Sequence, residues 1–176
     1  MTAARPTAIS RPGPLDIEAW FDELGLIPEE RVEREGIASW DLSLDGRRRF
    51  DIRTTVILDP TLAGIVWIHY APPIGDSFRR SYRKLLRWND EFPFAKFAVA
   101  TDERPILTAE IPIDRLDRDE LGLTIARLLA ICDQLVEESA AWIWIDRTVP
   151  PAGDRVSRQV GLFARYADRL GELASG

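Results

Sequence analysis

The sequence predicts an α+β domain on an antiparallel sheet, with elements in the order α-βββ-α-ββ-α and an extra amphipathic helix at the C-terminus. Three observations carry this reading. Runs of alternating apolar and polar residues come in clusters, as hairpins do, and are not separated one by one by helices. Asp45-Gly46 joins two of those runs, a strong hairpin signal. An apolar helical pattern opening at Asp117 is too wide for a single covered stripe, so both the sheet and another element must bury it.

Residues 1–13 are small, polar and Pro-rich, and are expected to form a disordered tail. A first helix follows from Pro14 to Leu24, with Ile17, Trp20, Phe21 and Leu24 on one face, Pro14 in the first turn and Gly25 just past the end. "IPEERVEREG" reads as a charged connection. In "IASWDLSL", Ala38, Trp40, Leu42 and Leu44 alternate with polar residues, and in "RRFDIRTTVIL", Phe50, Ile52, Thr54, Val56 and Leu58 do the same. Matching the apolar faces favours a three-residue loop, with Gly46 in the left-handed region and Trp40 opposite Phe50. "IVWIHY" is apolar throughout and reads as a central strand buried on both sides.

A second helix is expected from about Ser77 to Trp88, with Asp76 as N-cap, Phe78, Tyr82, Leu85 and Leu86 on its apolar face, and Arg79, Arg80, Arg83, Lys84 and Arg87 on the other. Two strands, "FAKFAVAT" and "PILTAEI", come next. Asp117, with Glu120 three residues on, caps the third helix, whose stripe includes Leu121, Ile125, Leu128, Cys132 and Leu135. "AAWIWID" continues that helix or forms a short strand. Pro150-Pro151-Ala152-Gly153 is a hinge, and Val156, Val160, Phe163, Ala167 and Leu170 recur at helical spacing beyond it. The chain thus divides into a tail (1–13), an α+β domain (14–146) and a hinge with a terminal helix (147–176).

Composition narrows the function classes. The 176 residues carry 29 acidic and 23 basic side chains, a net charge of -6 that opposes non-specific nucleic-acid binding. The single cysteine, Cys132, sits in an apolar helical pattern and reads as a buried thiol. With neither a signal-peptide core nor an 18-residue apolar run, a cytoplasmic, non-membrane protein is expected. His69 is the sole histidine and has no accompanying nucleophile motif, so a structural strand-end role is expected. One His and one Cys make no zinc-type cluster, and Gly-x-Gly phosphate loops are missing, so no cofactor, metal or catalytic residue is assigned. The stripe of Arg79, Arg83 and Arg87 is either a solvated helix face or a patch for an anion or acidic partner. Six tryptophans and seven phenylalanines suggest apolar surface beyond one core, which a dimer contact or a peptide groove would use.

The stretch from Tyr82 to Leu135 resembles the YbjN-like family of the type III secretion chaperone-like superfamily. The shared pattern is a helix ending in Leu85, Leu86 and Asn89, a strand pair with Lys96-Phe97 closing at Ile111-Pro112, and a long helix with Leu116, Leu121, Leu128 and Leu135. The resemblance implies a small non-enzymatic homodimer with a secretion chaperone-like fold that holds an extended or unfolded protein segment. Trp40, Phe50 and Ile52, on one predicted strand face, are the candidate anchors for such a segment. The alternative is a small-molecule or anion-responsive regulatory domain using Arg79, Arg83 and Arg87.

Overall fold

In the computed structural model of the chain, the described residues are 11–74, 79–171 and 173, with the backbone alone described for Arg79 and Arg80. Helix α1 (Pro14–Leu24) starts and stops where local chemistry dictates. Gly13 N donates to Asp16 Oδ2 at 2.7 Å, and Gly25 closes the helix in the left-handed region at φ 68°. Four strands follow: β1 (Pro28–Arg34), β2 (Ile37–Leu44), β3 (Ile52–Asp59) and β4 (Ala63–His69). After α2 (Arg79–Glu91) come β5 (Lys96–Val99) and β6 (Pro105–Pro112). The six strands form one antiparallel sheet in the order β1-β2-β3-β4-β6-β5. Helices α3 (Arg118–Gln134), α4 (Val136–Ile143), α5 (Val160–Arg165) and α6 (Ala167–Leu170) complete the chain.

The "IPEERVEREG" connection is a strand. β1 is an edge strand with only Pro28 and Val32 partly buried, so it has almost no periodic apolar signal. Glu35 and Gly36, at φ 52° and 80°, supply the two left-handed positions of a two-residue hairpin into β2.

Register between β2 and β3 also differs from expectation. Trp40 lies opposite Val56, and Leu44 opposite Ile52, so residues 45–51 form a loop. Gly46 is not left-handed; Asp51 is, at φ 53°. A distant residue causes this. The Asp133 carboxylate on α3 accepts the backbone N–H groups of Arg47, Arg48 and Arg49 at 2.6, 2.8 and 2.9 Å, which turns the chain away from a tight hairpin. Only glycine fits at 46, because a Cβ there would lie 2.3 Å from Asp133 Oδ1.

The core lies on one side of the sheet. Trp40, Val56, Val66 and Ala109 form one inward row, and Leu42, Thr54, Ile68, Leu107 and Phe97 the next. α1 packs over this face, with Phe21 edge-on to Trp40 at 5.7 Å. α3 lies over β4 and β6, and α1, α5 and α6 cover its other sides, which is why its sequence is apolar nearly all round. Asp117 caps it by accepting Glu120 N at 2.8 Å. Cys132 is fully buried, and burial pushes its thiol up to about 12. "AAWIWID" continues the helix as α4 up to Ile143. The Asp76 N-cap, Phe78 and residues 1–10 of the expected tail lie outside the described residues. Of the expected apolar face of α2, Leu85 is buried but Leu86 is exposed; Trp88 is buried instead.

The segment after Pro150-Pro151 is held by Asp45, at 0% exposed the most enclosed carboxylate among the described residues. Its oxygens accept Asp51 N at 2.9 Å, Arg158 Nε at 2.9 Å, Arg158 Nη2 at 2.8 Å, and Arg158 N and Arg155 Nη2 at 3.2 Å. Gln159 Oε1 accepts Asp45 N at 2.5 Å. Burial alone would raise the pKa of Asp45, but the bonds from Arg158 and Asp51 outweigh it and hold the carboxyl far below its usual range. Instead of one long helix, the segment is irregular to Gln159 and then forms two short helices against α3.

Candidate functional site: the open face of the sheet

Strand alternation sends every second side chain to the face opposite the helices. That face carries two rows. Val32, Ser39, Ile57, Ile65 and Glu110 line up across β1, β2, β3, β4 and β6, and Asp41, Thr55, Trp67, Thr108 and Lys96 form the adjacent row. No described helix packs on it, and α5 and α6 lie on the other side against α3. "IVWIHY" is therefore buried on one face only: Val66, Ile68 and Tyr70 are inside, while Ile65, Trp67 and His69 are half-buried on the open side. A face left to water normally alternates to polar residues. Here Ile57, Ile65 and Trp67 make an apolar centre.

A groove of about 480 Å³ lies over Ile57 and Trp67 of this centre. Val32, Ile37, Ile57 and Trp67 supply its apolar lining, and Arg34, Glu35, Ser39, Thr55 and His69 its polar lining. Ile37 is 42% exposed, and the Trp67 indole N–H is buried with no hydrogen-bond partner among the described residues. Trp67 and His69, two positions apart on β4, stack with ring centroids 6.1 Å apart and planes 2° from parallel.

His69 belongs to a short polar chain. Thr55 Oγ1 donates to Asp41 Oδ1 at 2.6 Å and lies 3.1 Å from His69 Nε2, while Arg53 Nη2 donates to Asp41 Oδ2 at 3.0 Å. Burial would raise the Asp41 pKa, but the bonds from Thr55 and Arg53 outweigh it and keep the carboxylate ionised. The single Thr55 hydroxyl proton is thus committed to Asp41, so Thr55 accepts from His69 Nε2–H and the free ring nitrogen is Nδ1. A hydroxyl nucleophile would need to give its proton to the imidazole, the reverse of this polarity. Burial and then Arg53 lower the His69 pKa below its ordinary value. The chain orients the ring beside Trp67, which fits the structural role expected for His69.

The candidate anchors chosen from sequence lie elsewhere. Trp40 and Ile52 are each 1% exposed in the helix-covered core, and their whole apolar surface is already in contact. Phe50 precedes β3 in the 45–51 loop, half-buried, with the Arg155 guanidinium 4.5 Å from its ring centroid. The three share no open strand face, because the register that would align them does not form. Of the basic stripe, Arg83 and Arg87 are exposed on α2 with no ion-pair partner among the described residues, and the Arg79 side chain lies outside them. Lys84 instead pairs with Glu138 at 3.0 Å. Asn89, part of the pattern that resembled a family, braces β5: its Oδ1 accepts Phe97 N at 2.5 Å and its Nδ2 donates to Phe97 O at 3.0 Å.

Sequence reasoning missed Ile57, Ile65 and Trp67. A signal was present, since they occupy the strand positions out of phase with Val56 and Val66. Among the described residues no helix is long and apolar enough to cross a membrane, and no group of three or more His, Cys, Asp or Glu side chains is placed to hold a metal. Residues 15–140 match the model of the YbjN family, whose description is "Putative bacterial sensory transduction regulator". No curated protein matches the chain.

Proposed function

The chain belongs to the YbjN family, described as regulators and not as enzymes, and from that premise we propose that it is a homodimeric regulator that binds an extended protein segment across the open sheet face. One observation carries the reading: the apolar groove of Val32, Ile37, Ile57 and Trp67 on a face where an antiparallel sheet ordinarily presents polar residues. An extended segment offers side chains at alternate positions, and a groove of about 480 Å³ admits two or three of them. Arg34, Glu35 and His69 in its lining supply the polar contacts that set orientation. Holding an unfolded segment of a client in this way is the behaviour of the type III secretion chaperone-like superfamily, and we extend it to this chain. Selection from a library of unstructured peptides, followed by binding isotherms, tests the proposal. Affinity weaker than about millimolar for every peptide would sink it, and Ile57→Asp should weaken any selected peptide by at least about tenfold.

A second reading, an anion-responsive domain, rests on Arg83 and Arg87, exposed on α2 without acidic partners among the described residues. It predicts that phosphate-bearing ligands raise the melting temperature and that Arg83→Glu abolishes the rise.

A further inference from the structure

β1 ends the sheet, and among the described residues nothing pairs with its outer edge. Such an edge is a template for another strand unless something blunts it. Charge is the usual device, and β1 is charged, but its charges follow an order. Glu30, Arg31, Val32, Glu33 and Arg34 read negative, positive, neutral, negative, positive. Reversed, the series has the opposite sign at every charged place. Two copies laid antiparallel about Val32 therefore set Glu30 against Arg34 and Arg31 against Glu33, each pair occurring twice.

Backbone geometry selects the same register. The two-residue turn at Glu35-Gly36 makes Arg34 and Ile37 the hydrogen-bonded pair that closes the hairpin. Alternation then points the N–H and C=O groups of Arg31 and Glu33 away from β2, toward the free edge. In the register centred on Val32, Arg31 faces the Glu33 of a second copy, so both residues that present outward groups meet as hydrogen-bonded pairs. Shifting to the next register of allowed parity on either side would place Arg31 opposite Arg31, or Glu33 opposite Glu33. Like charges directly opposite are destabilising. Glu29 and Glu35, which would oppose one another in the favoured register, lie outside the ladder: Glu29 is skipped by the β1–β2 pairing and Glu35 is in the turn.

The partners are available. Glu30 and Arg34 are exposed, with no ion pair among the described residues. Arg31 contacts Glu18 at 2.9 Å and Glu33 at 2.8 Å on the helix side while remaining 44% exposed. We infer that a second copy of this chain pairs antiparallel along β1, centred on Val32, making one continuous sheet from two six-stranded halves. Val32, Arg34 and Glu35 line the open-face groove, so the pairing joins two grooves across the two-fold axis. This deepens the homodimer part of the proposed function by naming the interface and its register.

A charge-swap cycle on the full chain tests it by sedimentation equilibrium. Glu30→Arg or Arg34→Glu alone turns two attractive pairs repulsive and should raise the dimer dissociation constant at least about tenfold, while the double variant should restore it to within about threefold. Register is read by cross-linking. In the predicted pairing the two Val32 Cα atoms lie about 4.5 Å apart, inside the span of about 4.4 to 6.8 Å that a disulfide bridges. Val32→Cys should oxidise to a covalent dimer, and Glu30→Cys, with its copies about 13 Å apart along the strands, should not. Cys132 is buried and does not compete. A chain that stays monomeric at millimolar concentration, a dimer indifferent to both reversals, or equal cross-linking at 30 and 32 would overturn the pairing. Peptide affinity of the Glu30→Arg chain is measured separately, so the edge pairing and the groove can each fail without the other.

Discussion

Replacing Asp45 should detach the C-terminal segment at a calculable cost. Asp45→Ala removes five hydrogen bonds from one fully buried carboxylate and leaves the backbone N–H groups of Asp51 and Arg158 without their acceptor. Breaking a buried ion pair from one side typically costs about 3–5 kcal/mol. The arginines that lose it are 42% and 49% exposed and can return to water, which favours the lower end, about 3 kcal/mol. For a chain of this size that is a fall in melting temperature of roughly 6–12 °C. Asp45→Asn keeps the shape and one acceptor oxygen and should cost about 1–2 kcal/mol. Calorimetry measures both, and limited proteolysis at Pro151–Gly153 reports detachment directly.

The pH dependence supplies an internal check. Because the folded pKa of Asp45 is depressed, its contribution is complete above the unfolded carboxyl value of 3.8 and is lost as pH falls through the much lower folded value. The gap between wild type and Asp45→Asn should therefore narrow in strong acid. An Asp45→Ala cost below about 1 kcal/mol, or equal costs for Ala and Asn, would refute the reasoning, because either would mean that the carboxylate charge does not hold the segment.

Other perturbations have definite signs. His69 is the only histidine and its folded pKa is lowered, so wild-type stability should fall as pH drops through about 6.5, with a slope of at most about 1.4 kcal/mol per pH unit; His69→Gln should flatten that slope. Gly122→Ala would place a Cβ 2.5 Å from Tyr166 Oη and 2.9 Å from Leu24 Cδ2, and chemical denaturation should show a loss of about 1–3 kcal/mol. The Cys132 thiol, buried and raised to about 12, should resist alkylation in the native protein and react only in denaturant; rapid labelling of folded protein would contradict its placement.

How much of this was visible in the sequence depended on how local each cause is. α1 and the start of α3 were legible because their caps lie within a few residues of the helix: Gly25 at one end, Asp117 with the Glu120 amide at the other. The apolar breadth of α3 correctly demanded two covers, and the sheet and the terminal segment provide them. β1 was hidden because an edge strand buries almost nothing, so "PEERVER" carries no alternation to detect. The 45–51 loop was misread because Arg49, Phe50 and Asp51 continue the alternation of β3, whereas the residue that bends the chain at Arg47, Arg48 and Arg49, Asp133, lies more than 80 positions away.

The candidate site was missed for a related reason. In "IVWIHY" both faces are apolar, and composition cannot distinguish a strand covered twice from one whose second face is an exposed apolar strip. The surplus of aromatic residues is mostly core, with Trp40 and Trp88 buried and Trp20 and Trp142 packed against them. Only the sheet order, which puts Ile57, Ile65 and Trp67 in adjacent rows on the helix-free side, turns the remainder into a surface.

The measurement closest to the central claim is the indole region of the nitrogen–proton NMR spectrum, titrated with a peptide selected for binding to the full chain. Trp67 is the tryptophan in the groove, and its N–H has no partner among the described residues, so its resonance is the sensitive reporter. A segment held across the open face should shift the Trp67 signal saturably while those of the buried Trp40 and Trp88 stay in place. Bound peptide with an unmoved Trp67 signal, or shifts confined to residues of α2, would contradict the account and transfer the function to another surface.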